Sequence, residues 1–468
     1  MDAGLIARFA AIVGDGHALT DAAATLPYRT EWRGLYEGRT PLVLRPGSTA
    51  EVSAILALAN GTRTPVVPQS GNSGLVGGQM PHDGEMVLSL DRLRSIRGVD
   101  PRGNTMIVEA GVVLADAQDA ADAVDRRLPL TLPSERWCRI GGNIATNAGG
   151  TAVIAYGSTR ANVLGLEVVL ADGRVWDGLR TLRKDNAGYD LKQVFIGSEG
   201  TLGIVTAAVL RLVPKPRAEI VALAGLRIPE DALELRAAVT DAFGPLVTAC
   251  ELMPRFALDL VLRHVPGSRD PLAAAHDWYV LIEVASGGEP EALRREVEDA
   301  LAAAVAGGFV TDALVAVDAA EAAAFWAIRH ALSEVQKHEG GSIKHDVSVP
   351  IEAIPAFLAR ASEAVLALIP GARPMPFGHL GDGNIHFNVS QPARGDKAAF
   401  LGRWAEVNAA VHAVVADFGG SIAAEHGIGF MKRDLLPTVR SPLEIELMRS
   451  LKHAFDPRGI LNPGKVLA

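Results

Sequence analysis

The sequence is poor in cysteine, lacks long apolar runs and has no block of basic residues. Only Cys138 and Cys250 occur among 468 residues, far apart and without a partner pattern, so neither a disulfide framework nor a thiolate metal site is indicated. No run of about 18 apolar residues is present that could span a bilayer as a helix. A net charge of -9 without a Lys/Arg block argues against a nucleic-acid partner.

Two nucleotide-binding motifs and a secretion signal are also missing. The chain contains no Gly-x-Gly-x-x-Gly, which argues against a Rossmann dinucleotide site and hence against a nicotinamide nucleotide. No Gly-Lys-Ser/Thr ends a glycine-rich loop as in a Walker A motif. The N-terminus, Met1 to Leu5, has an acid where a signal peptide carries positive charge. We therefore expect a soluble cytoplasmic protein.

The length and composition predict more than one domain. The chain has 49% hydrophobic residues and exceeds the size at which a single hydrophobic core stops growing. From about residue 215, after Pro214-Lys215-Pro216, alanine-rich helical segments alternate with short strands such as residues 278–284. That alternation is typical of an α+β domain.

Three glycine-rich stretches lie in the first half of the chain, at residues 68–78, 140–150 and 195–204. In the first, four glycines and small polar residues can turn backbone N–H groups toward an anion, as phosphate-binding nests do. Each stretch alone could be an ordinary turn, since glycine is common in turns. Three of them in one half favour a large planar or extended cofactor that lies against backbone.

Two histidines flank a tight glycine-rich turn between Gly378 and His386. If Asp382-Gly383 forms a two-residue hairpin loop, as Asp-Gly prefers, His379 is paired with His386. Directly opposed side chains lie about 4.5 to 5.5 Å apart at Cβ, close enough for two imidazoles to bind one metal ion. The alternative is two unrelated surface or core histidines.

An acid and a third histidine follow later, as Glu425-His426. Glu425 would complete a set of two histidines and one carboxylate with open positions, which suits zinc or another first-row divalent ion acting as a Lewis acid. Manganese, iron and cobalt accept the same ligands. His426 would then serve as a base beside the metal.

Two basic residues in the second half could bind a carboxylate. A helix is predicted to begin at Asp318, with an acid three residues later completing a capping-box-like pair, and to carry Arg329 and Ser333 on one face. Residues 342–349 alternate like a strand and would place Lys344 on its polar face. Arg329 offers a planar fork and Lys344 a point charge, although solvated surface cations are the commoner case.

These motifs together resemble a known flavoprotein family. The glycine-rich stretches are similar to the FAD-binding loops of the vanillyl-alcohol oxidase / p-cresol methylhydroxylase superfamily, over nearly the whole chain. Residues 182–192, the 378–386 motif and Glu425-His426 resemble its D-2-hydroxyglutarate and D-lactate dehydrogenase branch. The resemblance implies an α+β fold: a two-part FAD-binding domain over residues 1–214 and a separate α+β substrate and metal-binding domain, of the FAD-linked oxidase C-terminal type, over residues 215–468.

The same resemblance implies noncovalent FAD, because Ser70 and Asn72 stand where covalent members carry a histidine. The pyrophosphate would lie on the first loop and the ring against the second and third. In related flavoproteins a similar C-terminal segment folds back towards the flavin. The expected FAD contacts are Pro68, Gln69, Ser70, Gly71, Asn72, Ser73, Gly77, Gly78, Pro133, Gly141, Gly142, Ala145, Thr146, Gly149, Gly150, Gly157, Glu199, Gly200, Ile204 and Asn462.

For the substrate carboxylate, the resemblance points to Arg329, Ser333 and Lys344, with Ser333 standing where some members have threonine. Asn388, two residues beyond His386, shares its strand face and is a further substrate candidate. The implied function is an FAD-dependent, metal-assisted dehydrogenase that oxidises D-2-hydroxy acids to 2-oxo acids. D-2-hydroxyglutarate is the leading substrate and D-lactate or a glycolate-like acid the alternative.

In the implied reaction His426 takes the hydroxyl proton and the flavin accepts the hydride from C2. The resemblance suggests an electron-transferring flavoprotein or a quinone-linked carrier as electron acceptor, and we also consider a homodimer. Two hypotheses of other classes remain open at this point. One is a metal-dependent hydrolase whose glycine loops hold a nucleotide substrate, and the other is a flavoprotein sensor without turnover.

Overall fold

A computed structural model describes every residue from Met1 to Ala468. The chain divides into two compact units. The first unit comprises Met1–Gly150, Gly157–Lys215 and Glu425–Ala468, and the second comprises Thr151–Tyr156 and Pro216–Ala424.

This division differs from the two ranges expected from the sequence. Residues 425–468 group with the first unit, since the C-terminal segment pairs with the strand before the first glycine-rich loop through a parallel bridge between Val66 and Leu461. The short helix Val153–Tyr156 groups with the second unit because it packs on the strand Val247–Pro254. Both differences from the expected ranges arise from contacts between residues that are distant in sequence, and composition does not show such contacts.

The first unit contains two main sheets. A four-stranded sheet has the order Ala18–Leu19, Val43–Leu44, Met86–Ser89 and Val66–Gln69. A five-stranded antiparallel sheet has the order Ile96–Asp100, Thr105–Glu109, Ile204–Arg211, Val163–Val169 and Val175–Gly178. A two-stranded ribbon pairs Val213–Pro214 with Arg126–Arg127.

Helices cover these sheets and enclose two clusters of buried apolar side chains. The α-helices of the first unit are Ala3–Val13, Ala22–Arg29, Thr49–Thr62, Leu114–Asp122, Ile140–Thr146, Thr159–Asn162, Lys192–Phe195, Leu436–Val439 and Pro442–Phe455, with 3-10 turns at Asp15–His17 and Arg433–Leu435. Ser48 caps Thr49–Thr62, and its side chain accepts the N–H of Glu51.

The second unit is built on one eight-stranded sheet. Its order is Asp312–Val315, Ala218–Leu226, Trp278–Ser286, Val247–Pro254, Arg373–His379, Asn384–Ser390 and Ser342–Ile343, with Val347–Ser348 also paired to Asn384–Ser390. The strands described by these pairings run antiparallel to their neighbours. Their apolar side chains form a third buried cluster with the helices on the sheet.

The α-helices of the second unit are Val153–Tyr156, Pro229–Phe243, Arg255–His264, Pro290–Ala306, Ala319–Val335, Ile354–Leu368, Lys397–Gly402 and Trp404–Asp417, with 3-10 turns at Gly244–Leu246, Gln336–Glu339 and Ile351–Ala353. The predicted helix start is confirmed, since Asp318 caps Ala319–Val335 by accepting the N–H of Glu321 at 2.9 Å. The helix carries both Arg329 and Ser333.

The strand predicted over residues 342–349 is interrupted. Ser342–Ile343 and Val347–Ser348 are strands, but the residues between them leave the ladder. Lys344 therefore does not lie on a strand face. A run of alternating residues predicts a strand only where a neighbouring strand supplies hydrogen-bond partners along its full length.

Residues 373–390 form a hairpin, which we call the histidine hairpin, and its register differs from the prediction. His379 lies opposite Asn384, and His386 lies opposite Phe377, so that four residues instead of two connect the strands. The two histidines are therefore diagonal neighbours on one face and are not directly opposed.

The loop of the hairpin explains this shift. The carbonyl of His379 accepts the N–H groups of Asp382 at 3.3 Å and Gly383 at 3.1 Å. A type I′ turn needs positive φ at both central residues, but only Gly383 has it, at 85°. Gly381 lies against Ile154, whose Cγ2 would be 2.3 Å from a Cβ at that position.

No helix of the chain is both long and apolar enough to cross a membrane. Cys138 and Cys250 are both buried free thiols. The α+β class and the two-part architecture expected from the sequence are confirmed.

Candidate active site

The histidine hairpin brings two predicted metal ligands together within the second unit. The ring centroids of His379 and His386 are 5.6 Å apart, and the ring planes meet at 75°. His379 is buried and His386 is half-buried. The sequence predicted that the two histidines are directly opposed. They are diagonal neighbours instead, and their rings are nevertheless close together.

A buried carboxylate holds one of these histidines. Glu251, on the strand Val247–Pro254, lies directly opposite His379 in the sheet register, and its Oε1 accepts a hydrogen bond from His379 Nδ1 at 2.7 Å. Because Nδ1 carries the donated proton, Nε2 keeps its lone pair and is the nitrogen able to bind a metal.

The other oxygen of Glu251 binds the predicted substrate arginine. Arg329 Nε and Nη2 both lie 2.7 Å from Glu251 Oε2, and Arg329 is 5% exposed. The guanidinium also lies over the ring of Phe377, 5.0 Å from its centroid. Arg329 is thus not a solvated surface cation. Its guanidinium already binds Glu251 through Nε and Nη2, so only the Nη1 edge remains for a ligand.

These contacts decide the charge of Glu251. Burial opposes ionisation of this carboxyl, but the charges of His379 and Arg329 and their hydrogen bonds outweigh it and lower the pKa of Glu251 from 4.5 to about 2. The sheet therefore buries a carboxylate anion between the guanidinium of Arg329 and the Nδ1–H of His379.

The other predicted substrate residues are already engaged with protein groups. The ammonium of the exposed Lys344 donates to the carbonyl of Ser333 at 2.5 Å, and the Ser333 hydroxyl donates to the carbonyl of His330 at 3.1 Å. Asn388 is buried and its Nδ2 donates to Gln336 Oε1 at 2.8 Å. Lys344 and Ser333 thus lie together, as the predicted carboxylate site requires.

In the first unit, the segment of residues 425–429 contacts all three glycine-rich loops. Glu425 Oε2 accepts the N–H of Gly150, in the second loop, at 3.3 Å. The N–H groups of the last two residues donate to Glu199, in the third loop, at 2.8 Å each. A Cβ on the final glycine would lie 2.3 Å from the carbonyl oxygen of Val76, in the first loop. We call residues 425–429 the acid-histidine segment.

Glu199, a predicted FAD contact, also binds the acid-histidine segment. Both oxygens of its carboxylate accept the two N–H groups of the acid-histidine segment, so its side chain fixes that segment in place. Burial raises the pKa of the Glu199 carboxyl from 4.5 to about 7, against the lowering effect of the two N–H donors and of Lys432.

The three loops also contact one another. A Cβ at Gly200 in the third loop would lie 2.4 Å from Cγ of Pro68 in the first. The N–H of Glu199 donates to the carbonyl of Ala145, in the second, at 2.8 Å. Such close backbone approach is possible only where side chains are absent. The loops thus pack against one another as one continuous structure, which we call the cradle.

Polar side chains shape the first loop from outside. Gln69 Nε2 donates to the carbonyl of Tyr28 at 2.9 Å, and Asn72 Nδ2 donates to the carbonyls of Pro27 at 3.0 Å and Thr30 at 3.1 Å. The N–H donors of these two amide groups are therefore occupied. The side chain of Ser70 likewise donates to a backbone carbonyl, at 3.1 Å.

The second glycine-rich stretch is partly helical, contrary to the prediction of a loop. Ile140–Thr146 forms a short helix, and Asn147 ends it in the left-handed region with φ 53°. A Cβ at Gly141 would lie 2.7 Å from Cβ of Ala110, so the absence of a side chain at Gly141 lets the helix approach Ala110 closely. The remaining predicted contacts lie in the same unit, at Ser73, Gly77, Gly78, Pro133, Gly142, Gly149, Gly157 and Ile204.

Asn462 lies where the C-terminal segment returns to the cradle. Its Nδ2 donates to the carbonyls of Gly78 at 2.9 Å and Glu199 at 2.8 Å, which joins the first and third loops. Its Oδ1 is buried without a hydrogen-bond partner, which fits an acceptor for a cofactor N–H or O–H group.

The sequence analysis missed Glu251 altogether. The residue interrupts the apolar strand Val247–Pro254, all of whose side chains are buried. A lone acid within a fully apolar strand is a usable signal, because a buried carboxylate needs cationic or hydrogen-bonding partners. The partners themselves, Arg329 and His379, are far away in sequence and could not have been identified.

Comparison with known families supports the interpretation of the cradle as a cofactor site. Residues 40–178 match the family described as FAD binding domain. Residues 215–466 match the family described as FAD linked oxidases, C-terminal domain. These matches confirm FAD and remove the reason to consider a nucleotide hydrolase.

Curated relatives extend over nearly the whole chain. D-2-hydroxyglutarate dehydrogenase, mitochondrial, from Arabidopsis thaliana is 37% identical over 470 residues, covering 100% of this chain and 82% of the relative. D-2-hydroxyglutarate–pyruvate transhydrogenase from Saccharomyces cerevisiae is 34% identical, covering 100% of this chain and 95% of the relative. The resemblance inferred from the motifs is thereby confirmed.

The fold has solved counterparts of low sequence identity. The structure of p-cresol methylhydroxylase with substrate bound superposes with a TM-score of 0.78 at 16% identity, covering 99% of this chain and 96% of that one. This similarity confirms the fold expected from the superfamily resemblance.

The expectation of a cytoplasmic protein is wrong. It is contradicted by the relatives from Arabidopsis, Oryza sativa, Danio rerio and Bos taurus, which are all named mitochondrial. The error has a physical reason, since import machinery recognises a targeting segment and not the composition of the folded domains.

Proposed function

We propose that this chain, which belongs to the family of FAD-linked oxidases, oxidises D-2-hydroxyglutarate to 2-oxoglutarate with noncovalent FAD. The proposal is supported by relatives that match nearly the whole chain and are named D-2-hydroxyglutarate dehydrogenases. We further propose that a divalent metal ion, with zinc as our first choice, assists the reaction. Zinc is chosen because two histidines and a carboxylate with open positions suit it.

One observation carries this proposal. The acid-histidine segment contacts each of the three glycine-rich loops within the first unit. A catalytic histidine on a segment bonded to the flavin cradle is held beside the place where the flavin binds. Neither a hydrolase nor a sensor would require that connection.

The predicted FAD contacts are assigned to the cradle as follows. The backbone of the first loop receives the pyrophosphate, because its conformation is suited to a phosphate-binding nest. The second and third loops lie against the ring system. Asn462 supports the proposal because its free Oδ1 is buried among these loops.

We assign the metal to His379, His386 and Glu425. The two imidazoles lie on one face of the histidine hairpin, and Glu425 directly follows Ala424, the last residue of the second unit. When bound, FAD would accept the hydride from C2 and the metal would stabilise negative charge on the substrate oxygen.

His426 is the proposed general base. Its Nε2 lies 3.6 Å from Glu425 Oε1, beside the carboxylate that we assign to the metal, and an imidazole in that place could take the hydroxyl proton of the substrate. The ring is partly exposed, which gives the proton a path to solvent. Substitution by alanine removes the base and leaves the cradle unchanged.

Substrate carboxylates are assigned to Arg329, Ser333 and Lys344, with Asn388 as a further contact. The Nη1 edge of Arg329 and the ammonium of Lys344 supply positive charge, and Ser333 lies beside Lys344. Two cationic groups suit a substrate with two carboxylates better than one with a single carboxylate. This argument favours D-2-hydroxyglutarate over D-lactate.

For the second half-reaction we propose a protein acceptor, either an electron-transferring flavoprotein or a quinone-linked carrier. The yeast relative is named as a transhydrogenase with pyruvate, so pyruvate is an alternative oxidant to be tested with this chain. A homodimer is our expectation for the assembly.

The experiment is an anaerobic panel of 2-hydroxy acids, with reduction of the bound flavin followed by absorbance. D-2-hydroxyglutarate should bleach the flavin faster than D-lactate, and L-2-hydroxyglutarate should leave it oxidised. His426→Ala should keep FAD but slow bleaching by about 100-fold to 10,000-fold. If D-lactate is the faster substrate, the substrate assignment fails, and if His426→Ala bleaches at the normal rate, the base assignment fails.

A further inference from the structure

We propose that Glu251 is a positioning residue that orients the metal-ligating His379 and at the same time fixes Arg329, the residue assigned to the substrate carboxylate. This inference rests on the proposed function, because it assumes that His379 binds a metal and that Arg329 binds substrate. Nothing in the sequence motifs or in the family resemblance assigns a role to Glu251.

The geometry gives each oxygen of Glu251 its own partner. Oε1 accepts from His379 Nδ1 at 2.7 Å, and Oε2 lies 2.7 Å from both Nε and Nη2 of Arg329. The carboxylate is fully buried, so water does not compete for either contact. Its backbone is fixed as well, since Glu251 lies opposite His379 in the sheet.

The contact with His379 controls which ring nitrogen is available. A carboxylate that accepts from Nδ1 fixes the tautomer, the ring orientation and the basicity of Nε2, and loss of such a partner weakens metal binding by about 10-fold to 100-fold in comparable sites. The effect of Glu251 on the metal should therefore pass through its hydrogen bond with His379.

The contact with Arg329 restricts how that residue meets a substrate. Because Nε and Nη2 both point at Oε2, the guanidinium plane is fixed and the Nη1 edge is the one presented to a ligand. One buried side chain thus sets the direction of a metal ligand and of a substrate cation. Metal affinity and substrate affinity should then change together when Glu251 is altered.

The primary test measures zinc affinity of the FAD-loaded protein by competition with a chromophoric chelator. Glu251→Gln should weaken zinc binding by about 10-fold to 100-fold. Glu283→Gln is the matched control, since Glu283 lies on the neighbouring strand and accepts hydrogen bonds from Thr248 and Trp326. The control should bind zinc like the unaltered protein.

A double-mutant cycle then separates positioning from a general effect on the fold. If Glu251 acts through His379, adding Glu251→Gln to His379→Ala should weaken zinc binding no further. Glu251→Asp keeps the negative charge but is one methylene shorter, so it serves if Glu251→Gln fails to fold. We expect it to lose zinc affinity while binding FAD normally.

Kinetics supply the second readout. With zinc saturating, Glu251→Gln should raise KM for D-2-hydroxyglutarate more than it lowers kcat, because Arg329 is released from its fixed orientation. Zinc affinity unchanged in folded Glu251→Gln and Glu251→Asp would overturn the inference. Absence of zinc binding by the unaltered protein would instead refute the metal part of the proposed function, so the two failures are distinguishable.

Discussion

Glu199 in the first unit and Glu251 in the second are both buried carboxyls beside predicted site residues, yet their acidities are opposite. The hydrogen-bond partners of Glu199 are two neutral backbone N–H groups, and burial raises its pKa to about 7 against their lowering effect and the smaller one of the Lys432 charge. The partners of Glu251 are His379 and Arg329, which outweigh burial and lower its pKa to about 2. Burial alone therefore does not decide ionisation, because the charge of the partners does.

The difference corresponds to how each unit positions its own predicted site residues. The first unit uses backbone, with glycines that let loops approach closely and a carboxyl that ties a segment to them. The second unit uses charged side chains on a sheet, each fixed by another charged side chain. Substitutions should therefore act through backbone conformation in the first unit and through charge in the second.

The largest effect is expected for Glu251→Ala. Removing this carboxylate leaves Arg329 and His379 without their counter-charge, which costs about 3 to 5 kcal/mol of stability in comparable buried ion pairs. Urea unfolding at pH 7 measures the loss. Glu199→Ala, whose partners are uncharged, should cost about 1 to 3 kcal/mol, and equal costs for the two variants would invalidate the distinction.

The two carboxyls should give opposite pH dependences of stability. The pKa of Glu199 is raised in the folded state from 4.5 to about 7, so its stabilising effect is present below pH 4.5 and is lost as pH rises to about 7. The pKa of Glu251 is lowered from 4.5 to about 2, so its contribution is present above pH 4.5 and is lost as pH falls to about 2.

Each shift corresponds to about 3 kcal/mol across its window. Unfolding measured in steps of pH, for the unaltered protein and for Glu199→Gln and Glu251→Gln, isolates the two contributions. Glu199→Gln should remove the decline between pH 4.5 and 7 and leave the acid side unchanged. A decline that persists in Glu199→Gln would show that another group causes it.

Particular residues show why some features of the fold and of the proposed site could be predicted from the sequence and others could not. Glycine-rich loops and helix caps depend on nearby residues, so the cradle loops and the cap at Asp318 could be predicted. The sequence predicted that His379 and His386 lie close together, but the predicted register was wrong, because the loop includes a close contact of Gly381 with Ile154, which is distant in sequence. Glu251 was missed because its partners are distant in sequence.

The roles of individual side chains were also harder to predict than their positions. Glu199 was predicted as an FAD contact, and the structure adds that its carboxyl binds the acid-histidine segment. Arg329 was expected to be a free fork, and Glu251 occupies one edge of it. In both cases a polar side chain near the proposed site binds another part of the protein. The local sequence pattern does not predict such a contact.

A smaller effect is expected at the contact between the first and third loops. Gly200→Ala introduces a Cβ 2.4 Å from Pro68 Cγ at a residue with φ 70°, so we expect a loss of about 1 to 3 kcal/mol of stability and weaker FAD binding. Gly84→Ala is the matched control, with φ 87° but no atom within 4 Å of the new Cβ. FAD affinity equal in both variants would argue against close packing of the cradle.

The smallest effect is expected for Glu199→Gln at pH 5, where the carboxyl is already protonated. Glutamine keeps a carbonyl oxygen that accepts one of the two N–H groups, so stability should change by about 1 kcal/mol or less. Thermal unfolding at pH 5 measures this difference. A much larger loss would indicate that Glu199 is ionised there and that the argument from its neutral partners is wrong.

The central claim is that this chain uses FAD and a divalent metal to oxidise D-2-hydroxyglutarate. The most direct measurement is anaerobic reduction of the bound flavin by this substrate, before and after removal of metal with a chelator. We predict rapid bleaching in the untreated protein, a loss of at least about 100-fold after chelation, and recovery when zinc is added back. A flavin that stays oxidised with D-2-hydroxyglutarate in the untreated protein would contradict the account.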